Sequence, residues 1–374
     1  MDDDQPLQLM GADHEKKFLL DPYLDWLKKE GALVHEGFSV DALAAETNFW
    51  PRYDCNAAFI HVRGRGDYLS VYALDLKPGG KTRPVKHIYE CFIYVLQGHG
   101  STAVDLPGGK RHTFEWGPKS LFAVPLNLKY QLFNGSGSER ALLACTTSLP
   151  FTLNLFHDEG FLFDNEYTFM GRIGNSKYYE GDGDFISIKA GRHMWETNFV
   201  PDLTQIELPA WKERGAGGSS LAFALADASM HAHVSQIPTA RYKKGHRHAD
   251  GVHIWAVDGS GYTMLWHDVN GDREFIEVPW RHGIVYAPPY MMFHQHFNTA
   301  RQPARYLAIS MGSRRYPLFR IKRESAGGKV DTDIKKGGNQ VEYEDQDPEL
   351  HQRWLQEIAR TGIEPDMKEF VKSF

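Results

Sequence analysis

The feature that most constrains this chain is an internal repeat. Ile93-Tyr94-Val95-Leu96-Gln97-Gly98-His99-Gly100 is matched by Ile254-Trp255-Ala256-Val257-Asp258-Gly259-Ser260-Gly261, which puts Gly98 and Gly259 161 positions apart. The same offset pairs His87 with His248. Residues 125–134 match 289–298 at 164 positions, so a short insertion separates the two matched stretches. Two copies of a unit longer than a hundred residues predict two tandem folds of one kind. Residues 68–74, 91–96, 253–257 and 262–266 are rich in β-branched and aromatic side chains. Gly108-Gly109, Gly135-Ser136-Gly137 and Asn270-Gly271 supply turn signals between such runs. Short strands with this punctuation predict an all-β chain of two barrels.

Helical grammar frames this body. Asp21 is suited to cap a helix that starts at Pro22 and stops at Gly31, with Leu24, Trp26 and Leu27 on its buried side. Asp347-Pro348 opens a second helix that ends at Gly362, with Leu350, Trp354, Leu355 and Ile358 at helical spacing. Between Ser325 and Asp347 the polar, glycine-rich composition (Gly327, Gly328, Gly337, Gly338) predicts a linker or flexible arm. The expected division is a helical extension over 1–50, a first barrel over 51–180, a second over 181–322, and linker plus helix over 323–374. Net charge of −6 argues against nucleic acid and anionic membranes as partners. No apolar run approaches the ~20 residues of a helical membrane span. The acidic Met1-Asp2-Asp3-Asp4 start has no signal-peptide core. Three cysteines argue for a reducing compartment, and a cytoplasmic location is expected.

Histidine is the compositional outlier, with 18 in the chain and a cluster between positions 231 and 296. His246 and His248 are two apart, so on a strand they share a face and Arg247 takes the other. His294 would bring a third imidazole from a distant strand. Three imidazoles suit iron, copper, nickel or zinc and leave coordination positions open.

Gly245-His246-Arg247-His248, then Gly259, and Gly283, Pro289, His294 and Asn298 match the paired motifs of the cupin superfamily. The chain therefore resembles a bicupin: two tandem cupin (jelly-roll-like) β-barrels with short N- and C-terminal helical extensions. Val252 stands where cupins commonly carry a glutamate ligand. That departure resembles the three-histidine gentisate and salicylate 1,2-dioxygenase-like group, as do His246-Arg247-His248 and 293–298. The resemblance implies a homo-oligomer and a mononuclear non-haem Fe(II) dioxygenase, with Mn(II), Zn(II) or Ni(II) as alternative metals. Its substrates would be O2 and a small chelating molecule, an aromatic hydroxy acid by analogy. A lyase or isomerase that uses the metal without O2, or a non-catalytic binding protein, are the alternatives. The first copy has Val85 for His246 and Tyr130 for His294, so one imidazole, His87, remains there. Cys91 takes its acid position, and Glu90 would reach the interior only through a bulge.

Beyond the metal ligands, His296 shares the face of His294 and is a candidate proton carrier. Tyr242 has the parity of His246 and is expected in the pocket. Asn298 is a candidate for orienting substrate, or else a turn asparagine. Arg241 has the opposite parity and points away on a regular strand. Asp250 would be either a substitute carboxylate ligand or a turn residue. His231 and His233 form another same-face pair, expected to serve packing.

Overall fold

The computed structural model describes residues 20–189, 192–267, 273–318 and 329–372. Two barrels follow one another, each built from a large sheet facing a three-stranded one. In the first, Tyr130–Asn134, Gly100–Leu106 and Lys110–Trp116 form the small sheet. In the second, Ile276–Trp280, Gly261–Trp266 and Phe293–Asn298 take that place. The repeat is visible at the backbone. Gly98 and Gly259 both have positive φ, +84° and +80°, and both hold their chains against the neighbouring strand. A Cβ would lie 2.6 Å from Arg140 O at Gly98 and 2.8 Å from Ala304 Cα at Gly259.

The large sheets pack back to back. Ile60, Val71, Phe92, Tyr94 and Leu121 of the first meet Leu221, Phe223, Trp255, Leu307 and Ile309 of the second in one core. Strands such as Cys91–Gln97 and Ala304–Met311 are therefore buried on both faces, and their sequences read as near-continuous apolar runs. The barrels also exchange strands. Ser39–Asp41 leaves the N-terminal region to pair with Ile284–Tyr286 of the second barrel. Phe199–Val200 turns back to pair with Leu121–Ala123 of the first. Residues 1–50, expected as a helical extension, thus also supply strands to both barrels, since Val34–Gly37 pairs with Cys55–Val62.

Both expected helices form. Pro22–Lys29 is capped by the Asp21 carboxylate and buries Tyr23, Trp26 and Leu27. Pro348–Thr361 is capped by Asp347, ends at Gly362 in the left-handed region, and buries Leu350, Trp354 and Ile358. This last helix covers the outer face of the second barrel's small sheet, against Tyr262, Met264, Phe293 and Phe297. The glycine-rich stretch before it is folded from 329 onward rather than a flexible arm. Its backbone lies along the Gly245–Arg247 segment, with Val341 N donating to Gly245 O (2.8 Å) and Arg247 N to Asn339 O (3.0 Å). Its polar composition is what a strap of turns and short 3-10 helices requires. Asn270-Gly271, Gly327-Gly328 and the acidic N-terminus lie outside the described residues. Among the described residues, no helix is long and apolar enough to cross a membrane.

Candidate metal centre

His294 sits in strand Phe293–Asn298, and its side chain and that of His296 face the barrel interior. His246 is bound to it as a backbone bridge pair, His246 N to His294 O at 3.0 Å and the reverse at 2.8 Å. His248 follows two residues on. One nitrogen from each of the three rings falls within 4.8 Å of the others, with no carboxylate in the group. His246 and His294 are buried, and His248 is half-buried. The His248 Nδ1–H donates to Ala249 O (2.7 Å), and the His294 Nδ1–H to Met292 O (3.1 Å). A carbonyl acceptor fixes the proton on Nδ1, so Nε2 of each ring offers its lone pair. His294 Nε2 and His246 Nδ1 are buried polar atoms without a hydrogen-bond partner. Burial, reinforced by Arg214 for His246 and by neighbouring imidazoles for both, holds these two rings neutral. Orphaned nitrogens on converging neutral imidazoles fit a divalent metal.

The triad opens onto a cavity of about 470 Å³. Val252 lines it, so an aliphatic side chain stands at the position read as that of the missing glutamate. Asp250 does not replace it. Its carboxyl lies against Gly66, and burial and Asp67 raise its pKa. His296 does line the cavity. Its Nδ1 is 2.8 Å from Thr263 Oγ1, and burial, then the Lys243 and Arg214 charges, keep the ring neutral.

Tyr242 and Asn298 are not brought to the cavity. Tyr242 pairs with Phe297, whereas His246 pairs with His294. Four residues on one side thus span three on the other, and the offset turns Tyr242 to the outer face. There it packs at a tilt against Phe297 and edge-on against Trp354, and its hydroxyl meets His351 Nδ1 at 2.8 Å. Asn298 is fully buried and donates to Ile237 O, Pro238 O and Gln302 O while accepting from Ala300 N, which makes it the organiser of a loop. Arg241 points away, paired with Asp366.

The sequence reading missed most of the cavity wall. Arg192, Arg214, Arg314, Trp211 and Tyr306 line it, and so do His231 and His233, which were expected to serve packing. Asp331 of the strap is the one carboxylate among the described lining residues and pairs with both Arg192 and Arg214. These groups come from separate elements, so no local spacing announces them.

The first barrel repeats the geometry without the ligands. Val85 and Tyr130 form the same backbone bridge, 2.9 Å in each direction. His87 donates from Nδ1 to Tyr89 O (2.8 Å), as a ligand histidine would, but its Nε2 accepts from the Tyr130 hydroxyl (3.1 Å). Tyr53 and Tyr72 extend this buried network at 2.8 Å. Glu90 faces out of the barrel and accepts from Ser229 N, Met230 N and Arg172, joining the two barrels.

No protein-family model matches the chain, and no curated protein matches it. Among solved structures it is similar to a variant of Bacillus subtilis oxalate decarboxylase OxdC, at 14% identity and TM-score 0.48, covering 74% of this chain and 78% of that one. Lactobacillus farciminis oxalate decarboxylase in complex with formate aligns at 12% identity and TM-score 0.47, covering 76% and 87%.

Proposed function

We propose that the second barrel is a mononuclear metal enzyme, a dioxygenase that uses Fe(II) to cleave a small chelating hydroxy acid. The observation that carries this reading is the set of three converging imidazoles, without a carboxylate, open to a cavity. A bound metal would supply Lewis acidity and a meeting place for a chelating anion and oxygen. The chain's own residues do the rest. Ala249 O and Met292 O orient two of the ligand rings. Val252, Ile254 and Ala308 keep one side of the cavity apolar, and the arginines draw in an anion. His296, oriented by Thr263, holds a proton site next to the triad.

Metal analysis of purified protein beside His246→Ala and His294→Ala variants tests the centre. Metal loss in both, with the fold unchanged by circular dichroism, is expected. Oxygen uptake by the iron-loaded protein with salicylate, gentisate and related hydroxy acids tests the reaction. Turnover of such acids under anaerobic conditions, or equally with Zn(II) or Mn(II), would replace it by the second reading, a metal-dependent lyase or isomerase. His296 favours that reading as a ready acid–base group. Absence of metal binding sinks both.

A further inference from the structure

We infer that the cavity is built for a substrate with a second anionic group, remote from its chelating end and seated against Arg214 and the Tyr306 hydroxyl. This rests on the metal reading above and extends it to substrate class: a small diacid rather than a monoacid.

The argument begins with Lys243. It lies opposite His296 in the backbone ladder, with Lys243 N donating to His296 O at 3.1 Å. That position turns its side chain inward, and it is 1% exposed. Its Nζ donates to the Tyr306 hydroxyl at 3.3 Å and rests over the Tyr306 and Trp211 rings, 4.9 and 5.7 Å from their centroids. No carboxylate pairs with it among the described residues. Burial lowers its pKa, and an anion close by would offset the cost of its buried charge.

The wall in front of it deepens the imbalance. Arg214 is buried, donates to Val330 O (3.2 Å) and lies 3.3 Å from Asp331 Oδ1. Arg192 stacks on Trp211 at 3.6 Å and shares the same carboxylate. Arg314 stands at the exposed lip. Three wall arginines thus have one acid between them, Lys243 adds a further cation beside Tyr306, and the histidine triad adds no negative charge. A divalent metal would add two positive charges more. The chelating end of a substrate would offset the metal, while the wall's surplus favours a second anion.

Tyr306 shows where that anion would sit. Its oxygen accepts from Lys243 and it lines the cavity, so its O–H can donate to an anion there in competition with Ser235, which stands opposite it in the sheet. Burial raises its pKa, but the Lys243 charge, the Ser235 hydroxyl and the Arg214 charge together outweigh burial and bring it below the usual phenol value, which makes it a stronger donor. A carboxylate there would bridge Tyr306 and Arg214.

Matched pairs of ligands test this by calorimetric titration of the Zn(II)-loaded full chain. Salicylate is compared with 4-hydroxyisophthalate, and 2-oxopentanoate with 2-oxoglutarate. Each diacid keeps the chelating group of its partner and adds one remote carboxylate. In at least one pair the diacid is expected to bind about tenfold tighter, the size of one charge-assisted contact. Tyr306→Phe and Lys243→Met should cut that preference to about threefold or less, with monoacid affinity and zinc content unchanged. Lys243→Met removes a buried charge, so its melting temperature should hold or rise, which separates lost binding from lost fold. Equal affinity within both pairs, no binding by either diacid, or a preference that survives both variants would overturn the inference. Zinc content in the same samples reports separately on the metal centre. Protein that takes up neither Zn(II) nor Fe(II) sinks that reading, whereas metal-loaded protein indifferent to the second carboxylate sinks this one alone.

Discussion

His61, His87 and His253 are buried imidazoles outside the metal centre, and each makes the fold sensitive to acid. Burial lowers their pKa values to about 4, about 4 and about 3 respectively. An unfolded chain protonates the same rings near pH 6.5. Between that value and about pH 4 the unfolded state therefore binds protons that the folded state refuses. Stability is expected to be full above pH 6.5 and to fall by about 1.4 kcal/mol per histidine for each pH unit below it. Urea unfolding at pH 7.5, 6.0 and 5.0 measures the decline, and His253→Phe should make it shallower. Parallel declines for wild type and variant would refute the assignment for His253. This single-residue scale is also where the sequence was most informative. His246 and His248 were legible as a pair because strand geometry fixes which side chains share a face, and His294 through its place in the second motif. Tyr242 was misplaced by the same rule, since one extra backbone position between it and His246 reverses the face.

At the scale of elements, the strap from 329 to 346 decides how firmly the metal strand is held. The Gly245–Arg247 segment is short and has strand Phe293–Asn298 on one side only. The strap closes the other side through Val341 N, Asn339 O and the Gln340–His246 bridge. Lys244–Glu342 and the Tyr343 hydroxyl on Tyr242 O (2.7 Å) fasten it further. Val341→Pro deletes the N–H that reaches Gly245 O. It is expected to weaken metal affinity about tenfold, the usual cost of loosening the support of a ligand. Chelator competition measures this, and near-native circular dichroism should accompany it. Unchanged affinity would show that the strap merely covers the strand. The strap's role was not legible in sequence because its glycines and polar residues have the composition of a linker. Its partner edge lies some ninety positions earlier in the chain. Arg192, Arg214 and Arg314 escaped notice for a related reason. A strand, a 3-10 helix and a loop each contribute one, and only tertiary structure gathers them.

For the whole molecule, the repeat announced two barrels, but not that they are locked together. The shared core of the two large sheets and the exchange of Ser39–Asp41 and Phe199–Val200 make each barrel a part of the other's fold. A chain cut to residues 181–374 would expose Phe223, Trp255 and Leu307 and lose an edge strand. It is expected to aggregate or remain unfolded, while the intact chain melts in one calorimetric transition. A soluble, folded half with native-like metal binding would contradict that. The N-terminal exchange also sets a timetable. Asp41 is joined to Arg281 across 240 positions of sequence (2.8 Å), and Ser39–Asp41 has its pairing partner in that same late region. During translation this early strand leaves the ribosome long before Ile284–Tyr286 exists. Until then it is an unpaired strand beside a nascent first barrel, free to add to any other exposed edge. Synthesis speed and chaperone supply should therefore govern the yield of this protein more than the stability of its finished form.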